Sequence, residues 1–194
     1  MDISRCVFHV RNVSNEKARE LLPLSAIQES DPESYAQALA KYDDTPERRC
    51  LPETRIPCLD ALWTEVVFLS PITPHAVWTA WAEARSIEAG KRPLPAQEFW
   101  AIPVDDIGEA VLLDRTLTAT GEEIDPREVS RLNPDTYISA TVTTPGNAAW
   151  ARELTRKGVR GGYFHRTPHV LTRGPVSLER SRLVDWSVTP LNVA

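Results

Sequence analysis

The chain has 194 residues, 42% hydrophobic and 25% charged, a composition that fits one globular domain spanning residues 1–194. Its net charge of −5 argues against general binding to DNA or to an anionic membrane surface, both of which call for a basic excess. No run of about 18 apolar residues is present, so no transmembrane helix is expected. The opening MDISRCVFHVRNV carries Asp2, Arg5 and Arg11 where a signal peptide would have an apolar core.

Residues 5–10 (RCVFHV) read as a first strand, with Ser14 capping a short helix to about Leu22. Ser30 or Asp31, followed by Pro32, opens a second helix to about Tyr42. Residues 43–58 are charged and proline-rich and read as an exposed loop. Glu65–Ser70 (EVVFLS) reads as a buried strand. Thr73 and Pro74 then start a helix to Glu88, whose Val77, Ala80, Trp81 and Ala84 share one face. Trp81 is expected in the core and Trp78 at the edge of that stripe. Strands follow at 98–104 and 110–117, then a turn at Gly121-Glu122-Glu123 and a helix start at Asp125-Pro126. Tyr137–Thr143 alternates like a strand. Asn147–Lys157 reads as a helix stopped by Gly158. Short strands are expected near 162–165, 170–173 and 182–188. Regular strand–helix alternation is missing, which predicts an α+β fold with a mixed or mostly antiparallel sheet.

Candidate chemistry is sparse. Cys6, Cys50 and Cys58 are odd in number and lack C-x-x-C spacing. They are expected to be reduced, mostly buried thiols in a cytoplasmic protein. His165 and His169 have the four-residue spacing of a helical zinc pair, but Pro168 lies between them, so no metal is expected there. His169 instead enters a strand, where it would point into a cleft as acid, base or hydrogen-bonding group. There is no Walker A sequence, no G-x-S-x-G and no G-x-G-x-x-G. Arg152, Arg156, Lys157, Arg160 and Arg166, with Trp150, Tyr163 and Phe164, form a basic and aromatic group suited to a nucleotide or RNA phosphate. The same residues also suit the basic C-terminal end of a helix.

Two segments together resemble the ADP-ribosyltransferase-like superfamily, including its RNA 2'-phosphotransferase and DNA-modifying toxin branches. One is a strand-borne histidine near the start, Val7-Phe8-His9-Val10, followed by Asn12 to Leu22. The other is an apolar strand ending in serine, Val66-Val67-Phe68-Leu69-Ser70, leading into Pro74 to Glu88. The segment from Gly174 to Trp186 looks like the closing strand of such domains. The resemblance implies a split sheet with N-terminal helices and NAD as cofactor in a cleft between two small sheets. His9 would hold the ribose on the nicotinamide side, and Ser70 would help form the nicotinamide pocket. The glutamate of such enzymes precedes or sits in a late strand; Glu122 and Glu123, with Glu179, are the candidates, and none is in clear register. Arg166, His169 and His165 would orient a phosphate or acceptor. The chain is also similar to a group of uncharacterised bacterial proteins through Ile56-Pro57, Leu62-Trp63, Phe68 to Pro74 and Pro168 to Leu171.

Three functions are therefore open. The first is an ADP-ribosyltransferase-like nucleotide-binding enzyme. The second is a non-catalytic protein-interaction module of immunity or adaptor type, with exposed tryptophans as anchors. The third is a small histidine-dependent phosphoesterase. The partner would be a small-molecule nucleotide or another protein, with no membrane.

Overall fold

The computed structural model describes residues 1–86 and 93–189. After a 3-10 turn, Ile3–Arg5, capped by Asp2, the first strand β1 (Cys6–Val10) buries Cys6, Val7 and Phe8. The helix expected from Ser14 does not form. Asn12 Oδ1 accepts from the Ser14 amide and hydroxyl, which makes a side-chain turn at the place where a helix cap was expected. Buried Asn15 then donates from Nδ2 to the Val10 carbonyl and accepts from the Trp100 indole, fixing the turn to the sheet. A two-residue strand, β2 (Glu20–Leu21), follows.

Two short helices come next, α1 (Leu24–Ser30) and α2 (Pro32–Ala40). The second starts as expected: the Asp31 carboxylate accepts from the Ser34 amide and Pro32 fills the first turn. Segment 43–58 has more structure than a loop. It contains α3 (Pro46–Arg49), a 3-10 turn at Leu51–Glu53 and β3 (Arg55–Ile56), which pairs with β4 (Ala61–Leu62). Leu51 and Ile56 are buried, and apolar anchors of this kind pull a polar stretch onto the core. Cys58 lies in the β3–β4 turn at φ 69° and Cys50 ends α3; both are exposed, so only Cys6 meets the expectation of buried thiols.

β5 (Val66–Leu69) and α4 (Pro74–Ser86) stand where they were read; the last two residues expected in that helix lie outside the described residues. Val77 and Trp81 of α4 are buried against Ala151 and Leu154 of α5 (Pro145–Lys157), and Trp78 sits at the edge. Between these helices run β6 (Glu98–Pro103), β7 (Ala110–Leu113) and β8 (Val129–Arg131). The helix expected at Asp125 is a single 3-10 turn, Pro126–Glu128. The Glu128 carboxylate turns inward to the Thr118 amide, and the next residue joins β7 as a strand.

Residues 137–143 form no strand. The Ser139 amide bonds the Ser4 carbonyl (2.8 Å) and the Ala140 amide bonds Pro71 (2.9 Å), so the partner changes at each step and no ladder develops. α5 begins at a Thr144 cap and ends at Gly158, whose φ of 68° is the left-handed geometry glycine tolerates without strain. Residues 162–165 are a turn because Asn147 Nδ2 takes the Tyr163 and His165 carbonyls (2.7 and 2.8 Å). β9 (His169–Arg173), β10 (Val176–Ser177) and β11 (Arg182–Asp185) complete the order.

The fold is α+β. One antiparallel sheet has the order β1-β6-β11 and a second has β5-β9-β7-β8; β2 pairs with β10. The two larger sheets touch through one antiparallel bridge, Phe8 to Ser70, with reciprocal N–H···O bonds of 2.9 and 2.7 Å. One core, including Val7, Val67, Leu69, Ile102 and Val170, spans this seam. Among the described residues no helix is long and apolar enough to cross a membrane.

Candidate functional site

Sequence-selected residues gather on either side of Phe68. β1 leaves the edge of β5 after the Phe8–Ser70 bridge, and the next residue, His9, fills the gap. His9 Nδ1 lies 3.0 Å from the Phe68 carbonyl. A carbonyl only accepts, so Nδ1 carries the proton and Nε2 presents its lone pair. Burial pushes the His9 pKa below its ordinary value, opposed by the Phe68 hydrogen bond, so the ring is neutral at pH 7. Among the described residues Nε2 has no hydrogen-bond partner. The His9 residue itself is only part-buried.

On the other flank of Phe68, His169 opens β9 with its ring 6.1 Å from the Phe68 ring, edge to face. Burial pushes its pKa down to about 4, against a hydrogen bond to Thr167. Ser70 follows the same strand. Its hydroxyl donates to the Ile72 carbonyl (2.9 Å) and accepts from the Ile72 amide (3.0 Å), so it is spent on shaping the turn around Pro71. His9, Ser70 and His169 thus converge on one strand end, and the register explains why: Phe8 meets Ser70 and Leu69 pairs with Val170.

The other candidates lie elsewhere. Glu122 accepts from the Ala119 amide within its own turn, and that turn packs on Glu47, where a Cβ at Gly121 would come within 2.9 Å of backbone. Glu123 is exposed in the same turn. No hydrogen bond among the described residues joins either acid to His9, Ser70 or His169. The carboxylate that the fold does bury, Glu128, was not singled out. Burial raises its pKa, but the Thr118 hydroxyl and the Thr118 and Leu117 amides outweigh that and leave it lowered, so it is an anionic staple for residues 117–118.

His165 and Arg166 belong to the loop after α5. The His165 ring lies 4.5 Å from Trp150, and the Arg166 guanidinium stands 5.6 Å above the same indole. Burial lowers the His165 pKa and the neighbouring Arg166 charge adds to it. His75 stacks on Trp78 and bonds the Trp186 carbonyl (3.1 Å). The four histidines therefore form no acid–base pair, and among the described residues no group of side chains is suited to a metal. None of the six tryptophans is exposed; Trp81 is buried and Trp186 fully so.

A cavity of about 440 Å3 adjoins the seam. Its wall includes Pro71, Ile72, Leu112, Arg131, Tyr137 and Pro168, so it touches the chain neighbours of both Ser70 and His169 while excluding those two. The sequence carried only one sign of it, the apolar Ile138 and Val142 in a segment with no apolar run. Compared with protein-family models, curated proteins and solved structures, the chain matches none.

Proposed function

We propose that the chain binds the ribose-bearing part of NAD or a related nucleotide at the seam between its two sheets, and binds it without transferring ADP-ribose. The observation that carries this reading is His9. It stands at the point where β1 parts from β5, with Nδ1 committed to the Phe68 carbonyl and a neutral Nε2 left as acceptor for a hydroxyl. A ribose diol supplies such hydroxyls, and the resemblance assigns this role to the same residue.

The lack of turnover rests on charge. An oxocarbenium-like transition state needs a fixed negative group beside it. The late strand β9 opens with His169, a neutral ring at pH 7; Glu122 accepts from the Ala119 amide in its own turn, Glu123 and Glu179 are exposed, and none of the three is hydrogen-bonded to His9, Ser70 or His169 among the described residues. The interaction-module reading loses its anchors, because the tryptophans are partly or wholly buried. The phosphoesterase reading loses its pair, because His165 packs on Trp150 while His169 packs on Phe68.

The test is a thermal shift of the purified chain with NAD, ADP-ribose and AMP at millimolar concentration, together with an assay for released nicotinamide. A ligand that binds only the native state raises Tm by mass action. His9→Asn is the informative variant: its amide nitrogen takes the place of Nδ1 toward Phe68, while the atom equivalent to Nε2 is removed. A rise in Tm with NAD and ADP-ribose that His9→Asn weakens at least tenfold in affinity, with no nicotinamide released, is expected. No shift with any nucleotide, or equal affinity in His9→Asn, overturns the binding site. Release of nicotinamide by the unmodified chain overturns the lack of turnover.

A further inference from the structure

The cavity beside Tyr137 adjoins the seam but is lined by none of His9, Phe68, Ser70 and His169. Its volume of about 440 Å3 lies in the range of small-molecule sites. Its wall is held in place in part by hydrogen bonds among its own polar groups. The Tyr137 hydroxyl donates to the Cys6 carbonyl at 3.2 Å. The Asn133 side chain accepts from the Asp135 amide, and Thr144 Oγ1 caps α5 by accepting from Asn147. Ser70 pins the turn that carries Pro71 and Ile72. These bonds preform the wall and leave only neutral groups, the Ser130 and Thr136 hydroxyls and the Asn133 amide nitrogen, without a hydrogen bond among the described residues.

Arg131 adds the charge: among the described residues it is the only one lining the cavity that bears a formal charge, and no carboxylate lines it. Its side chain is 65% exposed, and its contact with Glu109, on a 56% exposed side chain, uses Nη1 alone. A solvated pair of this kind is held weakly, and a guanidinium offers five donors in a fixed fork. At the mouth, Ile138 and Val142 are 64% and 76% exposed, large apolar side chains facing water beside an apolar hollow. Covering them is favourable in proportion to the area removed from water.

We propose that this cavity binds a small amphipathic monocarboxylate, with its hydrocarbon body against Ile72, Leu112 and Ile138 and its carboxylate on Arg131. The recognition is one cation at the rim of an apolar hollow, so the ligand needs one anionic end and no second charge. A carboxylate matches the fork of the guanidinium bidentately, and the neutral amide of the same chain does not.

Isothermal titration with octanoate and octanamide, both below their self-association limits, tests the assignment. Octanoate is expected to saturate a single site, and octanamide to bind at least five-fold more weakly. Arg131→Gln should remove that discrimination. Ile138→Asp, at an exposed position, should weaken octanoate at least tenfold by repulsion at the mouth and leave Tm within about two degrees of the parent. His9→Asn should bind octanoate as the parent does, which separates this site from the one at the seam. No saturable octanoate binding, equal affinity for octanoate and octanamide in the parent, or affinity unchanged by both Arg131→Gln and Ile138→Asp would overturn the proposal.

Discussion

The seam at Phe68 and the cavity at Tyr137 lie on either side of one short stretch, residues 68–72, and are made in opposite ways. At the seam the backbone itself is shared between two sheets, and each side chain nearby is committed to holding it: Phe8 is buried, His9 bonds the Phe68 carbonyl and Ser70 shapes the next turn. At the cavity, residues 137–143 cross without forming a ladder, and the apolar side chains at its mouth, Ile138 and Val142, remain in water. Residues at the seam therefore carry stability as well as chemistry, whereas residues at the cavity mouth are free to vary without cost to the fold.

That contrast can be broken most forcefully at Phe8, which is 1% exposed and stands on the one bridge between the two larger sheets among the described residues. Phe8→Ala should cost roughly 3–5 kcal/mol in denaturant unfolding; a loss under about 1 kcal/mol would mean the seam does not couple the sheets. Acid provides the next largest effect. The pKa of His169 is held at about 4 in the folded chain, below its ordinary value, and His9 is shifted in the same direction. Unfolding lets both rings take up protons. The stability they supply is complete above the ordinary histidine pKa and is lost as pH falls from about 6.5 toward 4. Between pH 7 and 4.5 the His169 contribution should be on the order of 2 kcal/mol, and His169→Phe should flatten that part of the pH profile. A profile unchanged in His169→Phe would show that this ring titrates normally.

The contrast is sharpened by a smaller comparison at His9. His9→Ala orphans the Phe68 carbonyl and should be about 1–2 kcal/mol less stable than His9→Asn, which can still donate to it. Equal stabilities would show that the carbonyl finds water instead. At the cavity mouth, Ile138→Ser should change stability by no more than about 0.5 kcal/mol. A larger loss in urea unfolding would place Ile138 in the packing of the fold and remove the difference between the two regions.

The elements read correctly from the chain are those with strong punctuation or a sustained apolar pattern. Asp31-Pro32 starts α2, and Gly158 stops α5. The strand at Val66–Leu69 and the buried face of α4 were also legible. The misread segments share a different trait. Ser14 and the 137–143 stretch carry good local signals for a helix cap and a strand, but other partners claim their hydrogen bonds: Asn12 takes Ser14 and the Trp100 indole reaches Asn15, while Ser4 and Pro71 take Ser139 and Ala140. His9 and Ser70 lie 61 positions apart in the chain and come close only through the Phe8–Ser70 bridge. His169 was selected for its residue type, and nothing in its neighbours foretold that it would share Phe68 with His9.

By itself the sequence determined the α+β character, the ends of the capped helices and the most apolar strand, because caps and periodicity act among residues within about four positions of each other. The seam, the tautomer of His9, the outward turn of Cys50 and Cys58 and the cavity beside Tyr137 were decided only in three dimensions. Each depends on which distant chain segment supplies a hydrogen-bond partner or covers an apolar face. The His9–Phe68 contact spans 59 residues and the Tyr137–Cys6 contact spans 131. Pairings of that reach are selected by the packing of the whole core, and no local pattern records them.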